Sequence, residues 1–119
     1  MENGKTPSDQ LEENLKKAVT ELILLTLLAR KESYIGELAE AVYEQSRHAF
    51  SLAFPYAAIY RLEHEGYICE SGKRIAPDGR RRQYIAITDA GRIYQKQLQE
   101  TYLAFIQGVS HILEGGKEK

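Results

Sequence analysis

Lys73, Arg74, Arg80, Arg81 and Arg82 flank the tetrapeptide Ala76-Pro77-Asp78-Gly79, a strong turn signal. Cations packed this closely on the two arms of a turn call for an anionic partner. No other set of reactive side chains converges on a reaction centre. His48, His64 and His111 fall on separate segments with no matching Ser, Cys or carboxylate signature, and neither a Gly-rich phosphate loop nor H-E-x-x-H occurs. His64, between Glu63 and Glu65, reads as a surface residue, and Cys69, alternating in a strand, as a small packing residue. A single cysteine permits no internal disulfide, and a zinc site would need several Cys or His at set spacings. The expectation is a protein that is no enzyme and takes no cofactor or metal, suited to a reducing cytoplasm.

At 119 residues the chain has room for one domain with a modest core. The formal net charge is only -1, but the distribution is uneven. Residues 1–46 carry five basic and nine acidic side chains, net -4, whereas residues 72–92 carry six and two, net +4. The positive charge is thus focused on one loop. The longest apolar run, Leu22 to Ala29, is bracketed by Glu21 and Arg30 and is far short of the about 20 residues that span a bilayer, so no membrane partner is expected. The polar opening MENGKTPSDQ, residues 1–10, is expected to be a flexible N-terminus without the apolar heart of a signal peptide, and residues 114–119 a flexible tail.

Three helical signals precede the basic loop. From Asp9 to Arg30, Leu11, Leu15, Val19, Leu22, Ile23 and Leu27 recur at three- and four-residue steps, and past Glu21 the segment is apolar almost all round. Such a helix needs cover on two sides, either wholly within its own domain or partly from a second subunit through Leu15, Val19 and Leu22. A second helix is predicted over Tyr34 to Gln45, with Ser33 as its cap and Ile35, Leu38, Ala39 and Val42 inward. Its face of Glu37, Glu40 and Glu44 would repel phosphates, so it supports rather than reads. A third helix carries Leu52, Tyr56, Ile59 and Leu62 on one side, with Pro55 in its first turn, Phe54 at its edge and Gly66 as its stop. At about 100° per residue, Ala57, Ala58 and Arg61 lie opposite that stripe, with Tyr60 and His64 at its margin.

Tyr67 to Arg74 and Arg80 to Ile87 then read as strands of a hairpin, with Ile85 and Ile87 on one face and Tyr84 and Ala86 on the other. Thr88 caps a last helix from Asp89 to Leu113, along which Tyr94, Leu98, Tyr102, Phe105, Val109 and Ile112 follow at steps of four, four, three, four and three. A near-heptad stripe on a terminal helix points to a partner helix from a second copy, with an internal core contact as the alternative. The fold class is therefore mostly α with a small antiparallel hairpin: a winged helix-turn-helix over residues 11–87 followed by a C-terminal dimerisation helix over 88–113.

In that order of elements a helix fits the major groove of double-stranded DNA, while the basic hairpin lies along the phosphates or enters the minor groove. Only Arg61 among the outward residues of the third helix could make a bidentate contact to guanine, and Ala57 and Ala58 could touch only thymine methyls. The competing reading is a winged-helix module for protein–protein contact without DNA, or a small-molecule carrier built at a dimer interface.

The chain from about Leu15 to Leu113 resembles the PadR family of winged-helix transcriptional regulators, in its short subclass with a single C-terminal helix. The resemblance rests on GRRRQYIAITDAG at Gly79 to Gly91, on Tyr56, Ile59, Leu62 and Gly66 in the third helix, and on Tyr-x-x-Glu-Leu-Ala at Tyr34 to Ala39. It implies a homodimeric repressor on a pseudo-palindromic operator, released by a small-molecule effector that is often phenolic or planar and apolar. It also implies DNA-contact positions at Tyr56 and, in the wing, at Arg80, Arg81 and Tyr84, and it places Tyr102 near the dimer axis. Tyr94, Tyr102 and Phe105 offer aromatic faces for dimer core or for a planar ligand.

Overall fold

The computed structural model describes residues 6–53 and 55–116, so the fraying expected at the two extreme ends and the placement of Phe54 lie outside the described residues. The chain runs through α1 (Pro7–Arg30), α2 (Ile35–Gln45), α3 (Tyr56–His64), β1 (Ile68–Ile75), β2 (Arg81–Ile87) and α4 (Asp89–Leu113). It is a winged helix-turn-helix extended by one long C-terminal helix.

Residues 7–10, expected to belong to a flexible N-terminus, are instead the first turn of α1. Thr6 accepts a hydrogen bond from the Asp9 amide at 3.1 Å, and the Asp9 carboxylate accepts one from the Thr6 amide at 3.1 Å. With Pro7 at the first helical position, this reciprocal cap satisfies donors that would otherwise fray the end. The apolar half of α1 is the axis of the domain. Leu24, Leu25 and Leu28 are essentially inaccessible and pack with Leu38 and Val42 of α2, Ile59 and Leu62 of α3, Ile68 of β1 and Ile85 of β2.

Ser33 does not cap α2. Its amide and carbonyl exchange hydrogen bonds with Ile85 at 3.1 and 2.9 Å, so it extends the hairpin by one antiparallel bridge on the far side of β2, and its hydroxyl donates to the Lys31 carbonyl. Tyr34 takes the cap position without a side-chain hydrogen bond. Pro55 likewise lies just outside α3, as its N-cap, rather than within the first turn. The far end of α3 closes at Gly66 as predicted. Gly66 adopts φ +85°, and the Tyr67 amide donates to Leu62 O at 2.9 Å while its own amide donates to Glu63 O at 3.0 Å. This left-handed closure strains any residue with a Cβ.

The hairpin pairs Ile68 with Ile87 at its base and Ile75 with Arg81 near its tip, with a bulge between Glu70 and Gly72. Thr88 then joins α3 to α4: its hydroxyl accepts from the Gly91 amide at 3.0 Å and donates to Gly66 O at 2.7 Å. Gly91 is needed for a different reason than torsion. A Cβ there would lie 2.1 Å from the Tyr67 carbonyl oxygen, so α4 begins in direct backbone contact with the residue that follows α3.

Candidate nucleic-acid interface

The hairpin divides its five cations into two groups. Arg74 pairs with Glu32, donates to Ser71 Oγ at 3.2 Å and lies 4.1 Å above the Tyr84 ring. Arg82 pairs with Asp78 at 2.6 Å and stands 5.2 Å from the Tyr34 ring, which meets Tyr84 edge-on at 5.5 Å. These contacts fasten the wing to the segment leading into α2. Arg74 holds the Glu32 carboxyl below its usual range, and Arg82, assisted by the Arg80 amide, does the same for Asp78. Lys73, Arg80 and Arg81 are exposed and have no ion-pair partner among the described residues.

Tyr84, expected on the open face of the wing, is only 9% exposed. Its ring is closed over by Arg74 and Tyr34, so it organises the hairpin from beneath. Tyr34 and Glu32, which hold this arrangement, were missed as wing residues. Tyr34 had a signal, as the first position of the Tyr-x-x-Glu-Leu-Ala motif; Glu32 had none.

The outward face of α3 also differs from the helical projection. Tyr56, placed in the inward stripe by spacing, is exposed, as are Ala57, Tyr60 and His64. Ala58 is half-buried against the core rather than outward. Arg61, also exposed, is engaged in a pair: its Nη2 donates to Glu21 Oε1 at 2.7 Å and to the Tyr94 hydroxyl at 3.3 Å, and its Nε pairs with Glu21 Oε2. The guanidinium holds the Glu21 carboxyl below its ordinary value, and Glu21 raises that of Arg61. Arg61, expected outward and able to reach guanine, is exposed, and its fork is engaged by Glu21, forty residues earlier.

Val19 and Leu22 of α1 and Leu98, Tyr102 and Phe105 of α4 share a cleft of about 390 Å³, which Glu21 and Ala58 also line. Leu15 joins Val19, Leu22 and Tyr102 in an adjoining cleft of about 410 Å³. Tyr94 is not part of this apolar wall. It stacks on Tyr67 at 4.2 Å, with its hydroxyl 3.2 Å from Glu21 Oε1. From the first cleft onward α4 leaves apolar residues open, with Phe105 at 69%, Ile112 at 74% and Leu113 at 80% exposure.

Among the described residues no group of three His, Cys, Asp or Glu is placed to hold a metal ion, and no helix is long and apolar enough to cross a membrane. Residues 24–97 match the sequence profile of the PadR-like family of transcriptional regulators. The chain belongs to this family. The PadR-like match takes in the last seven residues of α1, then α2, α3 and the hairpin, and the first turns of α4. Solved structures agree with it. A Streptococcus transcriptional regulator is 26% identical with a TM-score of 0.69, and one from Clostridium thermocellum is 25% identical with the same score; both alignments cover 82% of this chain and 95% of the other. A PadR-like regulator from Bacillus cereus, 23% identical, shares the fold with a TM-score of 0.70 over 84% of this chain and 96% of its own. No curated protein matches the sequence.

Proposed function

We propose that this PadR-like transcriptional regulator acts as a homodimeric repressor, binding a pseudo-palindromic operator in double-stranded DNA and released by a small apolar or phenolic ligand. The observation that carries the DNA reading is the division of the wing: Arg74 and Arg82 hold the hairpin in shape, while Lys73, Arg80 and Arg81 stand exposed without ion-pair partners among the described residues. Cations left unneutralised at a wing tip meet DNA phosphates and release counterions. Tyr56, Ala57 and Tyr60 present the exposed surface that enters the major groove, and with no free guanidinium on α3 much of the sequence choice falls to DNA shape.

The dimer reading is supported by the open apolar stripe of α4 and by the exposed Leu11 and Leu15 of α1. On this reading residues 11–87 form the DNA-binding unit and 88–113 the dimerisation helix, and the clefts lined by Val19, Leu22, Tyr102 and Phe105 receive the effector. Selection of bound duplexes from a random DNA library tests it. The expected product is a two-fold symmetric sequence with half-sites about 34 Å apart, one turn of DNA. Enrichment of a single asymmetric site, or of none, contradicts it.

A further inference from the structure

α3 is only nine residues long and enters without a side-chain cap, so its setting in the domain depends on what grips it from the sides. Ile59 and Leu62 fix its inner face against the core. Its C-terminal end is tied to α4 through Gly66, Tyr67 and Thr88. The apolar contacts are individually non-directional, and the hydrogen bonds hold only the C-terminal end, so the exposed face gains from a directional contact along its side. Arg61 supplies a directional one. Its fork engages both oxygens of Glu21 on α1 while Nη2 reaches the Tyr94 hydroxyl on α4, and the Tyr94 ring is itself held by stacking on Tyr67.

We propose that Glu21 and Tyr94 are positioning residues for DNA recognition: by holding Arg61 from two other helices they set the rotation of α3, and so the register in which Tyr56, Ala57 and Tyr60 meet the base pairs. A bidentate guanidinium–carboxylate pair is planar and angle-sensitive, which suits it to this role. Neither Glu21 nor Tyr94 touches DNA in this arrangement. The inference rests on the DNA-binding reading above.

The test uses the full chain, the Glu21→Gln and Tyr94→Phe variants, and two duplexes of about 30 base pairs, long enough for half-sites one turn apart. One duplex is enriched by the wild-type protein from a random library, and the other has random sequence. Fluorescence anisotropy gives the preference for the first over the second, and thermal unfolding is followed in parallel. The expected result is a loss of preference of about tenfold for E21Q, the scale of one mismatched base pair, and a smaller loss for Y94F. Binding to the random duplex, carried by the wing, stays within about twofold of wild type. Unchanged preference in both variants overturns the proposal. So does a parallel loss on both duplexes that follows a fall in unfolding temperature, since that marks a structural role only. Should E21Q not fold, Y94F carries the test, because it deletes one hydroxyl and keeps the Tyr67 stack. A wild-type protein that enriches no duplex overturns the DNA reading and this inference with it, whereas wild-type enrichment with unaltered variants overturns the inference alone.

Discussion

Arg61 Nη2 lies 2.7 Å from Glu21 Oε1, so the only arginine of α3, though exposed, is tied to the domain's central helix. The carboxyl of Glu21 is held below its ordinary value of 4.5, first by the hydrogen bond from Arg61. A depressed acid contributes stability above its unfolded value and loses it as pH falls through the folded one. The small stability difference between wild type and E21Q is therefore expected at pH 7, and is expected to shrink in acid below 4.5, as the folded carboxylate takes up its proton. Urea unfolding at neutral and at acid pH measures it, and a difference that persists or grows in acid contradicts the pairing.

The two groups of wing cations separate by salt dependence. Arg80→Ala with Arg81→Ala is expected to weaken binding to all duplexes and to reduce the slope of log K against log salt by about 2 per subunit, with unfolding unchanged. Arg74→Ala removes a cation already paired with Glu32 and uncovers Tyr84. Its expected effect is a less stable wing with a smaller change in slope. Equal slopes for the two variants would show that the division has no bearing on binding.

Gly91→Ala is expected to destabilise the domain by about 1–3 kcal/mol, the range for overpacking a tight contact. Its new methyl would meet the Tyr67 carbonyl oxygen at 2.1 Å and Ile87 Cγ1 at 2.7 Å. Chemical denaturation reads this directly, and a wild-type midpoint would mean that α4 can step away from α3 without cost.

Phe105→Glu and Ile112→Glu place charge on the open stripe of α4, where both residues are largely exposed in the single chain. Their effect on folding is expected to be slight, while the dimer dissociation constant rises by at least about tenfold. Sedimentation equilibrium distinguishes this from a stripe with no partner, for which neither the mass nor its concentration dependence would change.

Much of the fold was legible because local signals agreed with one another. The limits of α4 followed from Thr88 and a continuous apolar stripe, and the hairpin from Pro77-Asp78-Gly79 between alternating apolar residues. What escaped were contacts made across the fold. Nothing near Arg61 in sequence announces Glu21 or Tyr94, and nothing near Arg74 announces Glu32. Helical projection misplaced Tyr56 and Ala58 because a nine-residue helix has too few turns for spacing to fix its inner face. Ser33 had the chemistry of a cap, but the unpaired edge of β2 at Ile85 claimed its backbone. The Thr6 cap was written in the sequence as Thr6-Pro7 followed by Asp9, and was obscured by the polarity of the residues around it.

The central claim is tested most directly by titrating the protein against DNA from upstream of its own gene and against random duplex, each at a low and a high salt concentration. The account predicts binding to both at low salt, tighter for the upstream DNA. It also predicts a log–log salt slope of about -5 for a dimer that places three wing cations of each subunit on phosphates. No binding to either duplex at low salt, or an affinity indifferent to salt, would contradict it.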